Sequence, residues 1–194
     1  MILIGLTGFK QSGKSTAARL LVEEFGFRRY GFADVLRQVA MALDPMIWTV
    51  GTSNGPPCAR YSDLLQEFGY ERCKDIPDFR RFLQRLGTDA VRDCLDQDAW
   101  VRALALRIGA DAPDRAVIDD CRFQNEAAYI THTGCLWRIE RTDAITAGDT
   151  HRSETEIPFL PASRVIRSAS KEHLQESVRK TTAAYLQEVH AWAV

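Results

Sequence analysis

Lysine is scarce in this chain. Only Lys10, Lys14, Lys74, Lys171 and Lys180 are lysine among 25 basic residues, and the rest are arginine. Arginine suits bidentate clamping of phosphate, but a G·C-rich coding sequence explains the count equally well, so position has to decide. Net charge is also scarce, at −1 over 194 residues, which leaves no global field to gather nucleic acid or an anionic membrane. Long apolar runs are absent, and Met1 to Leu6 is too short for a signal peptide. The five cysteines (Cys58, Cys73, Cys94, Cys121, Cys135) are odd in number and form no C-x-x-C pair. The four histidines show no ligand spacing. Reduced thiols in a cytosolic protein fit this better than a disulfide framework or structural zinc. No internal repeat, low-complexity tract or interdomain linker stands out, and 45% hydrophobic content supports one well-buried domain.

What is present is concentrated near the N-terminus. Gly8-Phe9-Lys10-Gln11-Ser12-Gly13-Lys14-Ser15 reads G-x-x-x-x-G-K-[ST] and is followed by Thr16. The apolar run Ile2 to Leu6 precedes it, as a buried parallel strand requires. Ala17, Leu20, Leu21 and Phe25 follow at helical spacing, with Gly26 as a stop. Strand, glycine loop and helix form a phosphate cradle: backbone N–H groups turn inward and the helix N-terminus adds partial positive charge. Lys14 is placed to reach the β- and γ-phosphates and the Ser15 hydroxyl to ligate Mg²⁺. The expected ligand is a nucleoside triphosphate.

The rest of the chain alternates strand and helix. Residues 28–33 read as a second strand ending at Asp34, followed by a helix to about Leu43. Pro45 to Pro57 reads as a loop, and Ser62 to about Ala110 as mostly helical. Pro77 is suited to open a helix carrying Phe79, Phe82, Leu83 and Leu86, interrupted near Gly87. Asp98 starts another, with Trp100, Val101, Leu104 and Ile108 on one face. Ala116-Val117-Ile118 is a short buried strand ending in Asp119-Asp120. A helix from Phe123 to Thr133, a strand from Leu136 to Glu140, a polar stretch from 142 to about 157, a short strand at Val165-Ile166 and a last helix complete the pattern. This is α/β, with a parallel sheet covered on both faces. The expected core is about 1–44, 111–141 and 160–194, with a helical insert at about 45–110 and a lid loop at about 142–159. In such sheets ligands bind outside the carboxyl ends of the strands, where insert and lid are placed to serve as acceptor-binding segment and cover.

Several residues carry candidate chemistry at that edge. Asp120 is placed to hold Mg²⁺ opposite the loop, and Asp119 competes for the role; adjacent strand residues point to opposite faces, so one of the two serves. Arg122 is placed to bridge donor and acceptor phosphates, with an ordinary surface arginine as the alternative. Asn125 and Glu126 fall in the first turn of a helix, where capping is the default. Asp34 and Arg37 lie one turn apart. A hydroxyl acceptor would need Asp34 as its base, whereas an anionic phosphate acceptor would need clamping by Arg37, Arg85 and Arg92. Arg85 and Arg92 are seven residues apart, roughly one face of a continuous helix. Arg141 and Arg152 are lid candidates for the transferring phosphoryl group. Trp48, Tyr61 and Trp100 are candidates to stack on a base, with core packing favoured for Trp100.

Together these residues resemble the bacteriophage-type deoxynucleoside monophosphate kinases, within the wider nucleoside monophosphate kinase group. The resemblance rests on the loop with Thr16, on Phe32-Ala33-Asp34-x-Leu36-Arg37, and on Leu83-Gln84-x-Leu86-Gly87-Thr88 with Arg92 beyond. It continues through Asp98-x-Trp100-Val101, Asp120-x-Arg122-Phe123-x-Asn125-Glu126 and His151-x-Ser153-Glu154. It implies a three-layer P-loop NTPase fold with a five-stranded parallel sheet, and transfer of the ATP γ-phosphate to a deoxynucleoside 5′-monophosphate with Mg²⁺. It places Gly8, Lys10, Gln11, Ser12, Gly13, Lys14, Ser15 and Thr16 at ATP. Ser15 and Asp120 fall at the metal, and Asp34, Arg37, Gln84, Arg85, Thr88, Arg92 and Trp48 at the acceptor. Lys14, Arg37, Arg92, Asp120, Arg122 and Arg152 are then the catalytic set. It further implies a cytoplasmic enzyme (host cytoplasm if phage-encoded) with no nucleic-acid or membrane partner, and leaves a homodimer open. The chain departs from the pattern at Val165-Ile166-Arg167-Ser168, where Asn-Asp-Gly is expected, so the adenine end of the site has no assigned residues. Two other readings stay open: a P-loop kinase with a hydroxyl acceptor, resembling dephospho-coenzyme A kinase or gluconate kinase, and a nucleotide switch that phosphorylates no small acceptor.

Overall fold

The computed structural model describes residues 1–49, 57–142 and 155–192. The chain forms two compact units, residues 1–32 with 104–194, and residues 33–103.

The first unit is built on five parallel strands: β1 (Ile2–Thr7), β2 (Arg28–Tyr30), β5 (Arg115–Cys121), β6 (Cys135–Arg141) and β7 (Arg164–Ser168), in the order β2-β5-β1-β6-β7. β1 is central because Leu3, Ile4 and Leu6 are wholly apolar and fully buried, so both faces can be covered. Ile4 and Leu6 pack with Ala17, Leu20 and Leu21 of α1 (Lys14–Phe25) and with Leu174 and Val178 of α7 (Lys171–Trp192). On the other face, Gly5 leaves room for Ile130 of α6 (Gln124–Thr133). Each fully buried Leu or Ile contributes roughly 1.5–3 kcal/mol, which is what holds the three layers together. The strand order reverses direction at β1, so the loop after it sits at the switch point where open α/β sheets bind ligands.

β5 has an irregularity with consequences for the site. Gly5 lies opposite Ile118 and Thr7 opposite Cys121, so β5 carries an extra residue across a bulge containing Asp119 and Asp120. Bulges of this kind re-aim side chains next to functional sites.

The second strand is shorter than the sequence indicates. β2 stops at Tyr30, its last partner being Ile118, and α2 (Phe32–Leu43) begins at Phe32. Asp34 therefore lies in the first turn of a helix and not at a strand end. The expected loop from Pro45 to Pro57 also needs correction at its start: Met46–Trp48 (β3) is a strand, pairing antiparallel with Cys58–Arg60 (β4) just past the loop, Ile47 opposite Ala59.

In the second unit, α3 (Tyr61–Cys73) and α4 (Pro77–Gln84) pack around Ala40, Ile47, Tyr61, Leu64, Phe79 and Leu83. Gly87 does not interrupt this run; residues Arg85–Arg92 continue it as a π-helix. Its wider i→i+5 turn rotates residues seven apart off a common face, so Arg85 is exposed while Arg92 is half-buried. Trp100, at the start of α5 (Ala99–Asp111), is core: it is 5% exposed, and its Nε1–H donates to the Gly87 carbonyl at 2.9 Å.

Candidate active site

The loop between β1 and α1 has the backbone of an anion cradle. Gly8 (φ 143°), Gln11 (φ 63°) and Gly13 (φ 103°) all take positive φ. Gly8 is also sterically required, because a Cβ there would lie 2.3 Å from the Ile139 carbonyl oxygen. α1 starts at Lys14 with Gly13 as its N-cap, no side-chain cap, and no acidic residue in its first turn. A helix N-terminus left this way presents N–H groups and positive potential to an anion. Lys14 Nζ donates to the Gly8 and Phe9 carbonyls at 2.5 and 2.8 Å, which holds the ammonium over the loop. Lys10, Gln11 and Ser15 are exposed and Thr16 is half-buried. The Ser12 and Thr7 hydroxyls are buried with no hydrogen-bond partner among the described residues, the kind of polar atom a bound phosphate or its water would satisfy.

The two strand-end aspartates differ in their partners. Asp119 is gripped bidentately by Arg29, with Nε at 3.0 Å and Nη2 at 2.8 Å. Asp120 lies on β5 beside the end of β1, and its Oδ1 accepts the Phe32 N–H at 2.9 Å. Arg122 follows the strand, and its N–H donates to Glu126 Oε2 at 2.8 Å; the same oxygen accepts the Phe123 N–H at 3.2 Å. Glu126, only 2% exposed, caps α6 and fixes the turn that carries Arg122. Glu156 adds a second cap by accepting the Gln124 N–H at 3.0 Å. Burial pushes the Cys121 thiol well above its ordinary range, and the charges of Glu126 and Asp120 add to this, so it stays protonated and unreactive beside Asp120.

Arg138, opposite Thr7 on β6, is used structurally: its Nη2 donates to the Pro158 and Leu160 carbonyls at 3.1 and 2.6 Å. Arg152 and its neighbours His151, Ser153 and Glu154 lie outside the described residues, as does most of the Gly51-to-Pro57 stretch. Among the described residues, no cluster of three or more His, Cys, Asp or Glu is arranged to hold a metal, and no helix is long and apolar enough to cross a membrane.

The second unit brings Asp34 and Arg37 together. Arg37 Nη2 donates to Asp34 Oδ1, and the guanidinium lies over the Tyr70 ring, 4.8 Å from its centroid. Burial opposes the Arg37 charge, but the hydrogen bond to Tyr70 and the nearby Tyr70 and Asp34 outweigh it and raise its pKa above the ordinary value. Gln84 closes α4 and is half-buried, as is Thr88, whose carbonyl accepts the Asp93 N–H at 3.0 Å. Arg92 Nη1 reaches the Gln97 carbonyl at 3.4 Å. Trp48 is 62% exposed on β3, with its N–H donating to Asp78 Oδ2 at 3.0 Å. Tyr61 is no base-stacking surface: it is fully buried and stacked on Phe79 at 4.7 Å. Sequence reasoning passed over Tyr70, Arg29 and Glu156, each of which acts on a partner distant in the chain.

With this geometry in hand, comparison with known proteins narrows the chemistry. A protein of Acanthamoeba polyphaga mimivirus assigned as a deoxynucleotide monophosphate kinase is 35% identical over 188 residues, covering 86% of this chain and 87% of that one. The deoxynucleoside-5′-monophosphate kinase of Escherichia phage T5 is 25% identical, covering 81% and 85%. The crystal structure of TT1252 from Thermus thermophilus shares the fold, with a TM-score of 0.55 at 17% identity over 95% of this chain and 97% of that one. The deoxynucleotide monophosphate kinase family pattern matches residues 71–178. The chain belongs to the deoxynucleotide monophosphate kinase family.

Proposed function

We propose that this protein transfers the γ-phosphoryl group of ATP to a deoxynucleoside 5′-monophosphate, giving the diphosphate and ADP for DNA precursor supply. The observation that carries the reading is the uncapped, acid-free N-terminus of α1 behind a positive-φ glycine loop, in a chain of this family. Such a cradle takes the β- and γ-phosphates on backbone N–H groups, with Lys14 neutralising charge as the bond to the leaving oxygen breaks. Loop residues Gly8, Lys10, Gln11, Ser12, Gly13, Ser15 and Thr16 complete the donor subsite.

Mg²⁺ fits the donor set, since the Ser15 hydroxyl and the Asp120 carboxylate are hard oxygen ligands and this ion keeps most of its shell as water and phosphate oxygens. When bound, it supplies neutralisation of the bridging phosphate oxygens. Of the two aspartates, this reading gives the metal to Asp120, with Asp119 held by Arg29.

The acceptor phosphate is anionic at neutral pH, with its second pKa near ~6, so it needs clamping and no general base. Arg37 and Arg92 form the clamp in this reading, with Gln84, Arg85, Thr88 and Trp48 around the nucleoside. Arg122, together with Arg152 from the 142–159 segment, neutralises the transferring group. In this reading Asp34 holds Arg37 and is not a base, because its Oδ1 is engaged by the Arg37 guanidinium and so is not offered to an acceptor hydroxyl. That argument works against a hydroxyl-acceptor kinase. The unit of residues 33–103 contains every acceptor residue named. A cytoplasmic site of action, inside the host, accords with the viral and phage relatives.

An ADP-release screen over the four deoxynucleoside monophosphates, their ribose counterparts and hydroxyl acceptors such as gluconate tests this. Turnover that depends on a deoxynucleotide supports it. ADP release with a hydroxyl acceptor alone, or equally without any acceptor, points instead to a small-molecule kinase or a nucleotide switch.

A further inference from the structure

The α3 helix contains a break that packing alone does not require. Gly69, in its interior, has φ 71° and ψ 160°, far from helical values. A Cβ at this position would meet nothing within 4 Å, so the glycine serves the backbone conformation and not a close approach. Its effect falls on Tyr70, the next residue. Tyr70 is half-buried with its ring edge-on to Phe79, at 6.2 Å between centroids. Arg37 lies 4.8 Å from the Tyr70 centroid and Lys74 lies 4.7 Å from it. Two cations thus converge on one aromatic ring, which attracts them through its electron-rich face. Lys74 is also bound to Glu71 at 2.6 Å, and Arg37 to Asp34.

We propose that Tyr70 is a positioning residue for the acceptor phosphate, acting through Arg37: the kink at Gly69 sets its ring as a platform that orients the guanidinium. This rests on the reading of Arg37 as an acceptor clamp. A flexible arginine loses several rotatable bonds' worth of entropy when it grips a phosphate. A guanidinium already stacked on an aromatic ring and tethered by Asp34 has lost much of that freedom beforehand. Asp34 holds one edge of the guanidinium and the ring supports its plane, which leaves the remaining N–H donors for a phosphate fork. Removal of the ring should therefore weaken acceptor binding while leaving the donor subsite, built from a different part of the chain, untouched.

The test compares Arg37→Lys, Tyr70→Phe, Tyr70→Leu and the Arg37→Lys/Tyr70→Leu double variant, with KM measured separately for ATP and for deoxynucleoside monophosphate. Thermal unfolding is followed on each variant. Tyr70→Leu is expected to raise the acceptor KM about ten-fold with the ATP KM within about two-fold. Tyr70→Phe, which keeps the ring but loses the hydroxyl hydrogen-bonded to Arg37, should recover part of that loss. The double variant should be no worse than Arg37→Lys alone, since coupled residues do not add. If Arg37→Lys raises the acceptor KM while both Tyr70 variants match the parent, the role of Tyr70 is overturned and the clamp stands. If Arg37→Lys itself has no effect, the clamp reading fails. Equal rises in both KM values for Tyr70→Leu, or a loss of thermal stability with unchanged KM, would reduce Tyr70 to a packing residue and overturn the proposal.

Discussion

Replacing Glu126 with alanine removes a buried carboxylate on which the turn between β5 and α6 depends. The side chain is 2% exposed, and one of its oxygens accepts N–H groups from Arg122 and Phe123 at 2.8 and 3.2 Å. Loss of a helix N-terminal cap costs about 1 kcal/mol. Leaving a second, buried N–H without its acceptor costs roughly 1–2 kcal/mol more. The one buried methylene that is lost contributes about 0.8 kcal/mol. The whole comes to about 3–4 kcal/mol, which lowers the melting temperature of a protein this size by about 8–12 °C. Glu126→Gln keeps a neutral acceptor and should lose about a third of that. Circular dichroism melts give the global figure, and amide hydrogen exchange across residues 122–133 localises it, because only α6 and its entry turn should open faster. Since Glu126 also fixes the Arg122 backbone, the alanine variant should lower kcat about ten-fold at a temperature where it remains folded. A variant that melts within about 1 °C of the parent, with unchanged exchange in α6, would refute the assignment of Glu126 as the fastener of this turn.

Gly8→Ala forces a Cβ to 2.3 Å from the Ile139 carbonyl at a φ of 143°, and nucleotide titration should show ATP affinity reduced at least ~100-fold, in line with a strained or displaced loop; normal ATP binding would contradict the cradle. The Tyr61 hydroxyl is buried without a partner among the described residues, and burial pushes its pKa up to about 12. Against an unfolded value near ~10, the folded state favours the neutral form, so this contribution is fully present below about pH 10 and is lost as pH rises from 10 to 12. Tyr61→Phe should be neutral or stabilising by up to about 1 kcal/mol at pH 7 and should make the alkaline fall shallower, as read by urea titrations at both pH values; a steeper fall would contradict this. Trp100→Phe deletes the donor to the Gly87 carbonyl, bonded at 2.9 Å, and should cost roughly 1–3 kcal/mol by denaturant unfolding, with exchange rising in residues 85–92.

The parts of this protein legible in its sequence are those whose cause is local. The glycine spacing of Gly8 and Gly13, the apolar run of β1 and the amphipathic α1 follow from chain geometry over a few residues, so the cradle was visible before the fold. The alternation of strands and helices placed β5, α6 and β6 within a residue or two. What stayed hidden depends on distance. Gly31-Phe32-Ala33 adds an apolar stretch directly after β2, yet Phe32 opens a helix and its N–H donates to Asp120, far along the chain. Strands β3 and β4 are three residues each, too short for a period-2 pattern to register beside Pro45 and Pro57. The π-helix at 85–92 has no sequence signature, and the bond from Trp100 to Gly87 that meets it comes from the following helix. The bulge in β5 and the grip of Arg29 on Asp119 are not readable from two adjacent carboxylates. Nothing in the sequence sets Tyr70 apart from other helical aromatics except the glycine before it in mid-helix.

The central claim is that the phosphate held by the Gly8-to-Ser15 loop is passed to a nucleotide. Incubation with [γ-³²P]ATP, Mg²⁺ and each of the four deoxynucleoside 5′-monophosphates, followed by chromatographic separation, measures this directly. The label should move to a deoxynucleoside diphosphate, and Lys14→Ala should reduce that transfer at least ~100-fold. Label that remains in ATP, or appears only as free phosphate with every deoxynucleotide tried, would contradict the account.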